Sequence, residues 1–130
     1  MREKILIVDD DPDFVSAITI VLERAGFHCV DTPNARLGLE KVDIVKPDLI
    51  ILDVMMEDIS AGFRFANTLR ARERHMSAKQ VPIIMITNVQ KLTDLAFEER
   101  VGTQLLPVDV FLDKPVEPEI LVKKVEKLLN

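Results

Sequence analysis

The sequence predicts an α/β protein: a three-layer, doubly wound sandwich with a five-stranded parallel sheet between two layers of helices. Three observations carry that expectation. The runs Ile5–Val8, Leu49–Leu52, Ile83–Ile86 and Val110–Leu112 are apolar throughout rather than alternating, as strands buried on both faces are. Each run stops at a polar residue, namely Asp9 and Asp10, Asp53, Thr87, and Asp113 with Lys114. Helical patterns separate the strands, and parallel pairing requires crossovers of that length.

The elements follow in order. A strand over about Lys4–Asp9 leads to a helix from about Pro12 to Ala25. Asp11 is placed to cap that helix, Pro12 suits its first position and Gly26 its stop. Phe14, Ala17, Ile18, Val21 and Leu22 recur at helical spacing and give it an apolar face. A short strand at His28–Thr32 precedes a helix near Ala35–Lys46, which ends before Pro47. The strand Asp48–Asp53 is followed by a helix over Gly62–His75, and the strand Pro82–Thr87 by a helix around Leu92–Val101. A last strand, Asp109–Leu112, leads to a helix over Glu117–Leu129. The cations Arg64, Arg70, Arg72, Arg74, His75 and Lys79 read as a solvated helix end that complements the helix dipole.

Bulk properties narrow the function. The 130 residues, 48% apolar and 30% charged, suffice for one domain spanning 1–130 with a core that needs no disulfide. A net charge of −5 gives no general reason to bind nucleic acid. Every apolar run falls well short of the roughly 20 residues that span a bilayer. Met1 to Lys4 lead directly into a strand, leaving no room for a signal peptide, and Cys29 is the sole cysteine. A cytoplasmic protein is expected.

In a parallel sheet the strand C-termini share one edge, and α/β proteins bind ligands there. Asp9, Asp10, Asp11 and Asp13 put four acids within five residues at that edge. Asp11 and Asp13 suit helix capping. Asp9 and Asp10 sit at the strand end, where two like charges ~4 Å apart repel by ~4 kcal/mol at an effective dielectric near 20. One divalent cation relieves that repulsion, and carboxylates with water as the remaining ligands suit magnesium. Asp53 then becomes a candidate nucleophile, because a carboxylate can accept a phosphoryl group as an acyl phosphate. Lys114 and Thr87 bring a cation and a hydroxyl to the oxygens that carry the transferred charge.

Taken in order, the segments ILIVDDDPDF, PDLIILDVMM, VPIIMIT and VFLDKPVEPEIL resemble a response-regulator receiver domain of bacterial two-component signalling, over essentially the whole chain. The resemblance implies a flavodoxin-like sheet of order 2-1-3-4-5. It implies a magnesium site of Asp9, Asp10, Asp53 and the backbone carbonyl of Met55, with Asp53 also the phosphoacceptor. Thr87 would be the switch hydroxyl, Phe111 the aromatic whose rotamer reports activation, and Lys114 the phosphoryl partner, approached through a cis peptide to Pro115. The implied partners are a sensor histidine kinase or phosphotransfer protein and a downstream output domain or protein, with no nucleic acid or membrane bound by the domain itself. The face built from the 92–101 helix, the fifth strand and the last helix becomes the candidate for homodimer formation. Such a protein is not a conventional enzyme but promotes its own phosphorylation and dephosphorylation.

The alternative is a phosphorylation-independent interaction module of the same fold. The loop Glu57 to Gly62 departs from the family pattern and keeps that alternative open. Met55 and Val89 hold positions that modulate loss of the phosphoryl group in such domains. Both are apolar and would not orient an attacking water, so slow loss is expected.

Overall fold

The computed structural model describes residues 2–53, 61–87 and 108–130, with Thr87 described by its backbone alone. Five parallel strands, β1 (Lys4–Val8), β2 (His28–Thr32), β3 (Leu49–Asp53), β4 (Ile83–Thr87) and β5 (Val110–Asp113), form one sheet in the order β2-β1-β3-β4-β5. Around it lie α1 (Pro12–Arg24), α2 (Ala35–Val45), α3 (Ala61–His75) and a C-terminal helix (Pro118–Leu129). The helix expected around Leu92–Val101 and the connection at 102–107 lie outside the described residues, as do Met55, Val89 and the loop from Glu57 to Ser60.

Burial explains the sequence pattern. All of β3, and β1 beyond Lys4, are buried, whereas β2 is partly exposed and β5 half-buried, as expected of the two edges. Odd and even strand positions feed different layers. Leu6, Val8, Ile50, Leu52, Ile83 and Met85 pack against Phe65, Ala66 and Leu69 of α3 and Ala35 of α2. Ile5, Ile7, Leu49, Ile51, Ile84 and Ile86 pack against α1 and against Leu121 and Val125 of the C-terminal helix. Strands that supply apolar side chains to both layers cannot alternate polar and apolar residues, which is why their runs are continuous.

Helix ends follow local chemistry. Asp11 Oδ1 accepts from the amides of Asp13 and Phe14, and Asn34 Oδ1 from that of Leu37, so α1 and α2 start on side-chain caps. Gly26 sits at φ +101 past the end of α1, a conformation open to glycine at little cost. The apolar face of α1 keeps Ile18 and Leu22, with Phe14 and Val21 partly buried, and differs from the expected one at two positions. Val15, with Ile18 and Leu22, is buried, while Ala17 faces solvent.

Arg70 departs further from expectation. It is 4% exposed, not solvated, and its guanidinium donates to Glu73 Oε1 at 2.8 Å, to the Val81 carbonyl at 2.8 Å and to Asp109 Oδ2 at 3.3 Å. Glu73 Oε2 accepts from Val81 N and Asp109 Oδ2 from Ile83 N, so the network ties α3 to the chain entering β4 and β5. Ion pairing and hydrogen bonding offset the desolvation of these charges.

Candidate functional site

Strand register assembles the site. Val8 lies beside Leu52, Asp53 beside Ile86, and Thr87 beside Asp113. The residues one step past these pairs, Asp9 and Lys114, therefore emerge at the same edge as Asp53 and the backbone of Thr87. The side chain of Thr87 and the carbonyl of Met55 lie outside the described residues.

Asp9 and Asp53 are each 4% exposed, while Asp10 faces solvent. One carboxylate oxygen from each of the three lies within 4.8 Å of the others. Lys114 reaches across from β5, its Nζ donating to Asp9 Oδ2 at 3.3 Å and to Asp53 Oδ2 at 3.4 Å. The other oxygen of Asp9 accepts from the amide of Asp11 at 2.9 Å. Lys114 Nζ also stands over the ring of Phe14, 4.5 Å from its centroid. The Lys114–Pro115 peptide is cis, and Phe111 lies half-buried against the layer that contains α3.

Electrostatics at the site follow from this packing. Burial pushes the Asp9 carboxyl up, the Asp11 amide pulls it down, the Asp53 charge raises it and Lys114 lowers it; the balance is a pKa of about 6. Burial works against the Lys114 charge, but the carboxylates of Asp9 and then Asp53 outweigh it and hold the ammonium above its ordinary value. The protein thus holds two buried acids side by side with a single lysine shared between them. An octahedral magnesium with oxygens at about 2.1 Å spans about 4.2 Å between opposite ligands. Three carboxylate oxygens within 4.8 Å of one another are a donor set of the type that suits such an ion.

The family model for the response regulator receiver domain matches residues 5–126. This chain belongs to that family. The receiver domain is 31% identical over 130 residues to the alkaline phosphatase synthesis transcriptional regulatory protein PhoP of Bacillus subtilis, covering all of this chain and 50% of PhoP. It is 30% identical over 126 residues to protein PilH of Pseudomonas aeruginosa, covering 97% of both. It therefore spans about half the length of PhoP and nearly all of PilH. Among solved structures it resembles chemotaxis response regulator CheY4 of Vibrio cholerae, with a TM-score of 0.80, 27% identity, and coverage of 99% of this chain and 100% of that one. The expected family and the sheet order 2-1-3-4-5 are both borne out.

The sequence did not single out two features of the site. Phe14 was assigned to the apolar face of α1, whereas its ring also meets Lys114. The amide of Asp11 holds Asp9 in addition to the capping role of its side chain. The signal for both was their place in the first turn after a strand end, where backbone and side chains face the same edge.

Proposed function

We propose that this receiver domain is the phosphoryl-accepting switch of a two-component system. The observation that supports this most directly is that Lys114 Nζ bridges Asp9 and Asp53 at 3.3 and 3.4 Å, within a carboxylate cluster that suits a divalent cation. Asp9, Asp10 and Asp53, with the Met55 carbonyl, would hold one magnesium, which supplies charge stabilisation to the phosphoryl oxygens when bound.

A carboxylate oxygen of Asp53 attacks phosphorus. The new oxygen–phosphorus bond forms as the bond to the donor histidine nitrogen breaks, and the electron pair stays on the imidazole, which then takes a proton. Lys114 meets the transferred charge, and Thr87 donates to a phosphoryl oxygen. The phosphoryl group adds about −1.5 to −2 charge, by analogy with side-chain phosphates, and the contacts of Thr87, Lys114 and Phe111 respond to it. Such a group shifts a conformational equilibrium only through different interactions with the two states.

The donor is a histidine kinase or phosphotransfer protein. In support, a cleft of about 530 Å³ lined by Asp10, Pro12, Ser16, Thr19 and Ile20 opens beside the acids. Output passes to a downstream domain or protein, in the cytoplasm. Among the described residues, no helix is long and apolar enough to cross a membrane.

Incubation with acetyl phosphate and magnesium chloride, followed by intact-mass measurement, tests the reading. Wild type gains one phosphoryl group and Asp53→Asn gains none. Equal gains in both proteins move the acceptor elsewhere, and no gain in either favours a phosphorylation-independent interaction module.

A further inference from the structure

Among the described residues, the Lys114 ammonium meets two carboxylates and one aromatic ring. Its hydrogen bonds to Asp9 and Asp53, at 3.3 and 3.4 Å, are long beside the 2.7–2.9 Å typical of charge-assisted pairs. The third partner is the face of Phe14, 4.5 Å from Nζ and well within the range of cation–π attraction. Phe14 itself is held from two sides. Its amide donates to Asp11 Oδ1 at 3.3 Å in the first turn of α1, and its ring packs against the core layer that contains Leu112 and Val116. The amide of Asp11 in turn holds Asp9 Oδ1 at 2.9 Å. One short turn therefore fixes both an acid of the site and the ring that carries its cation.

Filling space does not by itself call for an aromatic residue here. Phe14 is only partly buried, and an aliphatic side chain would close the same edge of the core. An aromatic face adds something a carboxylate cannot: it orients a cation without neutralising it. The two carboxylates compete for the Lys114 charge, and one of them is the proposed acceptor. The ring carries no net charge to give or withdraw, so it keeps the same hold on the ammonium before and after a phosphoryl group arrives.

We propose that Phe14 is a positioning residue for phosphoryl transfer: its ring holds the Lys114 ammonium where the oxygens of the group on Asp53 are delivered. This inference rests on the proposed function and adds a residue to it. The role assigned to Phe14 is exerted through Lys114, the residue its ring contacts.

The test uses the full chain, acetyl phosphate and saturating magnesium chloride, with the rate constant of phosphorylation and the half-saturating donor concentration measured separately. Phe14→Leu lowers the rate constant by roughly three- to tenfold and leaves the half-saturating concentration unchanged, while Phe14→Trp and Phe14→Tyr stay within about twofold of wild type. Replacing Phe14 with mono-, di- and trifluorinated phenylalanine keeps the shape, weakens the ring's negative face stepwise and lowers the logarithm of the rate in proportion. That series also covers the case in which Phe14→Leu fails to fold. A flat fluorination series, or Trp and Tyr variants as slow as Leu, overturns the positioning role while the phosphorylation of wild type leaves the underlying reading intact. Failure of wild type to gain a phosphoryl group overturns both.

Discussion

Asp9 and Lys114 make opposite contributions to the stability of the metal-free domain. Burial, helped by the neighbouring Asp53 charge, raises the Asp9 carboxyl from its ordinary value of 3.8 to about 6 against the pull of the Asp11 amide and Lys114. The folded state thus holds this proton more tightly than the unfolded chain. The resulting stability is fully present below about pH 4 and is lost as pH rises through about 6. In the presence of a chelator, Asp9→Asn is therefore more stable than wild type at pH 7.5, by on the order of 1–3 kcal/mol, and flatter between pH 4 and 6. Lys114→Met shifts stability the other way at pH 7.5, because it leaves two buried acids facing each other. Thermal unfolding across pH checks the pair; an Asp9→Asn protein no more stable than wild type at pH 7.5 contradicts the electrostatic picture. The acids were legible in the sequence, since four in five residues at a strand end have few structural uses. The pairing of Asp9 with Lys114 was not, because the two lie 105 positions apart along the chain.

At the scale of elements, the strands were easiest to read and the charged end of α3 the hardest. Continuous apolar runs have few competing explanations once helices separate them, and the observed strands begin and end within one residue of the expected ones. Arg70 was misplaced because a charge run at a helix end is ordinarily solvated. Its spacing carried the contrary signal, since Ala66, Leu69, Arg70 and Glu73 follow one another at helical intervals on the buried face. Gly38 belongs to the same category of hidden constraint. A Cβ there would lie 2.9 Å from Phe65 Cε2 and 3.2 Å from a Val8 methyl, so this glycine lets α2 approach β1 and α3 closely. For the buried pair, Arg70→Met leaves Glu73 uncompensated and costs about 3–5 kcal/mol. The urea midpoint reports it, and an unchanged midpoint would show that Glu73 finds another partner or a proton at little cost.

For the molecule as a whole, the decisive fact is that parallel strands deliver residues from distant stretches to one edge. Alternating strand and helix patterns predicted a parallel sheet, but no periodicity states which strands are neighbours; the order came from the resemblance. Register then does the rest. With Val8 beside Leu52 and Ile86 beside Asp53, the acids and Lys114 meet without any contact between them in sequence. The loop after Asp53 and the segment from Asn88 to Pro107 lie outside the described residues, and they include the stretches where the chain departs most from the family pattern. The central claim is chemical, that this shared edge makes Asp53 the phosphoryl acceptor. Its most direct test is to load the protein with acetyl phosphate and magnesium chloride, reduce the acyl phosphate with borohydride, and map the digested peptides by mass. The expected product is homoserine in the peptide that spans Asp53, dependent on magnesium and much diminished in Lys114→Met. Reduction at Asp9 or Asp10 instead, or labelling of Asp53 that is indifferent to both magnesium and Lys114, would contradict it.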